Sequence, residues 1–290
     1  DVKGTRHGQL DFLGVGMLLG FASAIVISVT LMDRAYHLPW ILTALMGLLG
    51  IIFLVMLLRR SKKRPDAVFS REMLVSRPFL AANIFNLAYG ATGESGIMTL
   101  LPLYAVSVYG MSTLQSGLVS TPRSFGIFAM SLIASFYVMK WGYHRPIIIG
   151  TLITAVGLVL LALEPGRLML TGTGLPPMAL VMGIALVAGI GAGLVAPASN
   201  NSCIDLMPEQ AASITGLRQI CRRIGQTISI AICTLVLEFS PNMARGFTVL
   251  LSAFTALTLL SIIAVFWMPA SPIATCRPSR RVVPARETSR

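Results

Sequence analysis

Long apolar runs separated by short polar stretches repeat along the whole chain. Eight can be drawn, at 12–32, 38–58, 78–106, 113–139, 145–164, 176–202, 211–238 and 246–268. Each approaches the ~20 apolar residues that carry a helix across a bilayer, and several are long enough to tilt. The pattern predicts an all-α fold, a polytopic bundle of transmembrane helices. One substantial polar break, RRSKKRPDAVFSREMLVSRP, interrupts it. The expected organisation is therefore two leading helices within 1–58, a basic linker at 59–77, a six-helix bundle at 78–268, and a tail at 269–290. The tail is rich in Pro and Arg with little apolar content, which predicts disorder.

Composition agrees with the pattern: 55% of residues are hydrophobic, 12% are Asp, Glu, Lys or Arg, and mean hydropathy is +0.78. A net charge of +12 would suggest nucleic acid in a soluble chain. Here the basic residues sit at the ends of apolar runs instead of along one polar face, so the charge reports topology and no nucleic-acid partner is expected. One side of the membrane carries Lys3, Arg6, the seven Lys and Arg from Arg59 to Arg77, Lys140, Arg145 and five arginines from Arg277 to Arg290; the other carries only Arg34, Arg167 and Arg245. By the positive-inside rule both termini and the 59–77 linker are expected in the cytoplasm of a cell (inner or plasma) membrane. The linker is read as a positive-inside anchor; its basic run also suits anionic lipid. The chain begins with Asp1 and DVKGTRHGQLDF has no cleavable leader pattern, so it reads as a loop cut from something longer.

Cys203, Cys221, Cys233 and Cys276 form no CxxC pair, and His7, His37 and His144 all fall in predicted loops. Neither a zinc site nor a disulfide framework is indicated, and no cofactor is expected.

Two ionisable side chains fall deep inside predicted spans, Glu94 in the third and Arg123 in the fourth. At about 1.5 Å per residue both lie roughly 24 Å from the basic side and so share a depth. An intramembrane acid and base mark a bundle interior or a wet pathway, since a lone charge in hydrocarbon costs several kcal/mol. A structural ion pair that locks two helices is the alternative.

The six later helices contain a faint internal repeat. Gly117 to Gly126, GLVSTPRSFG, aligns without gaps on Gly216 to Gly225, GLRQICRRIG, and superposes Arg123 on Arg222. The two helices are the middle members of successive triplets and cross in opposite senses, as an inverted three-plus-three repeat requires. On the seventh helix Thr215, Gln219, Arg222, Gln226, Ser229 and Cys233 form one polar or small stripe at helical spacing, read as the wall of a wet cavity or as a polar seam. Ser116, Ser120, Ser124, Ser131 and Ser135 make a milder stripe on the fourth helix, and Asn83, Asn86, Gly90 and Glu94 another on the third.

GIALVAGIGAG lacks the spacing and the preceding strand of a nucleotide loop, so it predicts close helix packing or a bend. The sequon Asn200-Asn201-Ser202 lies at the cytoplasmic end of a span and is discounted. Gly93-Glu94-Ser95-Gly96 resembles the GxSG of rhomboid proteases. A serine nucleophile needs a base, and no predicted span contains histidine, so an enzyme is not expected.

On these spans the sequence resembles the major facilitator superfamily, and within it the fourteen-helix drug:proton antiporters. The residues that carry the resemblance are the external turn in LPLYAVSVYGMSTLQSGL followed by Pro122, the loop KWGYHRP after the fourth helix, and ITGLRQICRRIGQTISIAI in the seventh. The loop lacks the acidic residue usual at that place. The resemblance covers 11–268 and implies two linker helices followed by the carboxy-terminal six-helix half of a transporter, with an amino-terminal six-helix half missing from this chain. It implies proton-coupled export of small amphipathic or cationic compounds, the partners being that substrate, protons and the lipid bilayer. Glu94 is then the proton carrier, with Arg123 as its counter-charge. Asn83, Asn86, Gln219, Arg222 and Gln226 are expected to line the substrate cavity. The alternative is a non-transporting membrane scaffold or sensor in which Glu94 and Arg123 hold the bundle together.

Overall fold

In lipid a backbone has no hydrogen-bonding partner but itself, so apolar runs of this length fold as helices. The computed structural model describes residues 12–31, 40–63, 76–163, 176–206, 208 and 211–268, and every regular element among them is helical. Helix α1 (Phe12–Thr30) and helix α2 (Trp40–Lys63) form a hairpin. Gly20 accepts the ring of Phe53, Gly50 faces Ile25, and the Ser28 hydroxyl donates to the Thr43 carbonyl at 2.9 Å. Helix α2 runs past its apolar limit through Arg59 and Arg60 to Lys63, so the polar break begins as helix. The rest of the linker up to residue 75 and the 269–290 tail lie outside the described residues.

The third predicted span is continuous in sequence but not in hydrogen bonding: α3 (Arg77–Tyr89) passes through a π turn at Gly90–Glu94 into α4 (Ser95–Tyr109). Gly110, with φ at 62°, ends it in a left-handed conformation that glycine adopts at no steric cost. Ser112 then opens the next helix with a capping box: its hydroxyl accepts the Gln115 amide at 3.3 Å, and its own amide donates to Gln115 Oε1 at 3.0 Å.

The fourth predicted span is also broken. Helix α5 (Thr113–Val119) and helix α6 (Thr121–Trp141) meet at Ser120, because Pro122 brings no N–H and suits only a first turn. Then come α7 (His144–Ala162), α8 (Pro177–Ile204), α9 (Ala211–Phe239) and α10 (Met243–Val265). Asn242 caps α10 by accepting the Ala244 amide at 3.0 Å. His144, expected in a loop, opens α7 instead, its Nε2 2.8 Å from the Met268 carbonyl oxygen. Seven helical segments of the described residues are long and apolar enough to cross a membrane; the third predicted span, interrupted by the π turn, is not among them and contributes only the shorter apolar stretch Leu100–Tyr109.

Helix α8 is wedged between α6 and α7; α7 packs on α10, α10 on α3, and α3 with its π turn on α9. Helix α1 joins the bundle by packing on α9. The buried side chains fall into two clusters, one at each end. Phe79, Tyr143, Cys203, Ile214 and Met268 belong to one; Tyr104, Val119, Leu161, Val181 and Phe247 belong to the other. Each residue lies near a helix terminus, and this sorting is what alternating up-and-down crossings produce. Outside these clusters large apolar side chains such as Ile41, Phe125, Phe136 and Leu260 are exposed, as a surface solvated by lipid allows.

Candidate functional site

Two helix crossings in the middle of the bundle are made by backbone on backbone. At the first, the Arg123 carbonyl of α6 rests on Gly189 of α8, where any β-carbon would overlap it, while a β-carbon at Gly126 would lie 2.9 Å from the Leu186 carbonyl oxygen. At the second, the backbone of Arg222 on α9 rests against Gly90 at the start of the π turn, and Gly225 against the Leu87 carbonyl. Arg123 and Arg222, Gly126 and Gly225, Gly90 and Gly189, and Leu87 and Leu186 are all separated by one interval. The repeat read from ten aligned residues thus extends to their partners on other helices. The glycines of GIALVAGIGAG serve close packing, as expected: Gly191 opposes Gly150 and Thr154 of α7, and Gly193 opposes Ile127 of α6.

Around the crossings a set of buried polar contacts joins the helices. The Ser199 hydroxyl on α8 donates to Asn86 Oδ1 on α3 at 3.2 Å, and Asn86 Nδ2 donates to the Ala82 carbonyl at 2.7 Å. Thr258 on α10 donates to Thr92 Oγ1 in the π turn at 2.7 Å, and Tyr89 lies 3.2 Å from Thr154 Oγ1. On α6, Ser131 donates to the Gly193 carbonyl at 3.2 Å. Interhelical hydrogen bonds in membrane proteins average about 0.6 kcal/mol, so these fix register more than they add stability.

Of the residues singled out in the sequence, Arg123 is buried at 4% exposure in the first turn of α6, beneath the Ser120 break. Glu94 closes the π turn; its side chain lies outside the described residues. Asn86 is buried and committed to Ser199. Asn83 is half-buried, with Nδ2 donating to the Phe79 carbonyl at 2.9 Å and Oδ1 buried with no partner among the described residues. Arg222 and Gln226 are half-buried, Gln226 accepting from Arg223 at 2.8 Å, whereas Gln219 is exposed. The structure therefore brings Arg222 against the π turn through its backbone but does not gather Gln219 with Asn86.

The face that α9 buries is centred on Ile214, Leu217, Arg218, Ile224 and Gly225. At about 100° per residue the Thr215-to-Cys233 stripe lies roughly a quarter turn from that centre. Ser229 and Cys233 fall inside the buried arc and the rest on its open edge. Arg218, to which the sequence reading gives no role, is instead the buried arginine of this helix: 4% exposed, with Nη1 donating to Asn200 Oδ1 on α8 at 3.2 Å. The signal for it was the spacing Ile214, Arg218, Gly225, Ser229, which keeps one face of the helix.

At the basic end, beyond the spans, the Tyr143 hydroxyl donates to Asp205 Oδ2 and ties the α6–α7 turn to the end of α8. Burial pushes the Tyr143 phenol well above its usual range, and the hydrogen bond to Asp205 and that carboxylate's charge push the same way.

Comparison with known proteins gives a match to the model of the Major Facilitator Superfamily over residues 12–230. Among curated proteins, the chain is 24% identical over 236 residues to Multidrug transporter protein MdtP of Bacillus subtilis, covering 79% of this chain and 41% of that one. It is 24% identical to Multidrug resistance protein 3 of the same organism, covering 78% and 43%. To Multidrug resistance protein B homolog of Mycobacterium tuberculosis it is 27% identical over 154 residues, covering 52% and 27%. The chain spans less than half the length of each of these relatives.

Proposed function

The chain belongs to the major facilitator superfamily, a family of membrane transporters for small molecules, and on that premise we propose that it is the carboxy-terminal part of a proton-coupled multidrug exporter. In this reading α1 and α2 are linker helices, residues 78–268 form one six-helix half, and a second half faces the open edges of α6 and α9. The compounds exported are small and amphipathic or cationic, in keeping with relatives named as multidrug transporters.

The observation that carries the reading is the pair of matched crossings. Transporters built from inverted repeats hold substrate and coupling ions near the bilayer midplane where the repeats meet. Here each repeat brings an arginine to its crossing, Arg123 over Gly189 and Arg222 over Gly90. The π turn that ends in Glu94 is part of the second crossing. A π turn inside an α-helix frequently accompanies function. Glu94 carries the proton in this proposal, Arg123 supplies the opposing charge, and the half-buried edge of α9 at Arg222 and Gln226, with Asn83 on α3, forms one wall of the cavity, while Asn86, held by Ser199, positions α3 behind that wall and Gln219 stays at its open rim.

The test is transport. The membrane protein that contains this chain is reconstituted in proteoliposomes, a pH gradient is imposed, and a fluorescent lipophilic cation is followed beside empty vesicles. Saturable movement that stops when a protonophore collapses the gradient is expected. Movement indifferent to the gradient removes proton coupling from the proposal, and no movement at all favours a scaffold.

A further inference from the structure

An elongated groove of about 600 Å³ runs between α3 and α10 on the outer surface of the bundle. The two helices are antiparallel, so Arg77 stands beside Trp267 at one end, Ile84 and Ala264 lie along the walls, and Ala88 lies beside Leu257 at the other. The walls are almost entirely apolar. Ser261 is the one hydroxyl among the described lining residues, and it is turned inward to donate to the Thr258 carbonyl at 2.6 Å. The groove therefore offers a polar ligand nothing along its length and a charge only at its mouth.

Its length narrows the occupant. From Arg77 to Ala88 the rise of α3 is about 16 Å, close to the ~15 Å of one leaflet in a hydrocarbon core of ~30 Å. A packed transmembrane helix would need a groove through the full thickness. A single acyl chain needs one leaflet. The mouth also has the composition of a headgroup site: Arg77 is exposed, and Trp267, 59% exposed, has the amphipathic ring that settles at the level of lipid headgroups. Arg77 belongs to the basic side of the membrane, where anionic lipids of the cytoplasmic leaflet meet positive charge.

We propose that this groove holds one acyl chain of an anionic phospholipid from the basic-side leaflet, with its phosphate at Arg77 and its glycerol region against Trp267. The site is independent of what the protein transports and of whether protons drive it.

Trp267 supplies the probe. With every other tryptophan of the protein replaced by Phe, Trp40 and Trp141 of this chain among them, Trp267 is the sole emitter. This variant is placed in phosphatidylcholine nanodiscs doped with brominated phosphatidylglycerol or, in parallel, brominated phosphatidylcholine, and quenching is followed against mole fraction. One basic residue at a membrane surface corresponds to about a fivefold preference. Half-maximal quenching is expected at about fivefold lower mole fraction for the anionic lipid. Arg77→Gln abolishes that preference, Lys140→Gln on the same side but outside the groove retains it, and Ala81→Phe, which fills the groove, weakens quenching by both lipids. Equal quenching by the two lipids, or an undiminished preference in Arg77→Gln, overturns the proposal. Absence of quenching by either lipid overturns it as well, since protein then covers the groove.

Discussion

The Arg123 carbonyl rests on Gly189, and the backbone of Arg222 rests on Gly90 in the same way. Neither glycine can gain a side chain without moving a helix. Gly189→Ala and Gly90→Ala are each expected to destabilise the bundle by about 1–3 kcal/mol, the usual cost of overpacking. Gly183, on α8 with nothing within 4 Å of an added β-carbon, is the control. Gly183→Ala is expected to be neutral or stabilising by up to about 1 kcal/mol, because it relieves only the entropy of a helical glycine. Thermal unfolding in detergent ranks the three; equal midpoints for Gly189→Ala and Gly183→Ala reject the backbone crossing.

Glu94→Gln separates the carrier role from a structural one. The amide keeps the size of the side chain and loses the titratable proton. Gradient-driven efflux is expected to fall to the level of empty vesicles while the protein still inserts and purifies. Undiminished efflux in Glu94→Gln would take the carrier role away from this residue.

Asn200→Ala leaves the buried Arg218 guanidinium without its acceptor on α8. A loss of about 1.5–3 kcal/mol is expected, the range for a hydrogen bond to a charged group. Asn201→Ala, one position along the same helix, is the comparison. If both variants melt alike, the Arg218 to Asn200 contact contributes nothing specific.

Tyr143 predicts a dependence on alkaline pH. Its folded-state pKa lies above the ordinary value of 10.0, so above that pH the folded state holds a proton that the unfolded state releases. The associated stability is complete below pH ~10 and declines as pH rises beyond it. Melting between pH 8 and 11 is expected to show the decline in the parent and a flatter profile in Tyr143→Phe. Parallel profiles would show that the phenol does not carry it.

The proposed orientation is checked by labelling. In a background with the four native cysteines replaced, Cys introduced at Ser70 is expected to react only after permeabilisation of cells, and Cys introduced at Thr173 without it. Reaction of both from outside inverts the topology.

Seven of the eight predicted spans are legible because lipid imposes length and apolarity on each crossing, and seven helical segments of the described residues meet that demand; the third is split by the π turn into pieces too short to do so. The interruptions are less so. Pro122 announces the break at Ser120, but nothing in AYGATGES distinguishes an i→i+5 turn from an α-helix. That choice belongs to the neighbour, since Gly90 lies against the Arg222 backbone of a helix more than a hundred residues away. The polar stripe on α9 is visible as spacing, yet spacing cannot tell the face that packs from the face beside it. Arg218 was lost for that reason: an arginine surrounded by Leu217 and Ile220 reads as an interruption of an apolar face, and its acceptor Asn200 reads as part of a sequon. The repeat, faint at ten positions, becomes clear when the residues touched by Gly126 and Gly225 are themselves found to correspond.

The crossings also bear on how such a chain can change over generations. A contact between a carbonyl and a glycine reads no side chain, so it restricts only the glycine and leaves the outward-facing positions open to any apolar residue that lipid tolerates. Substitutions can then accumulate over most of the surface while the helices keep their mutual placement, which suits a chain that shares only 24% of its residues with a protein it matches over 236 positions. The same economy makes the glycines unforgiving: drift is absorbed nearly everywhere except where a helix has no side chain to vary.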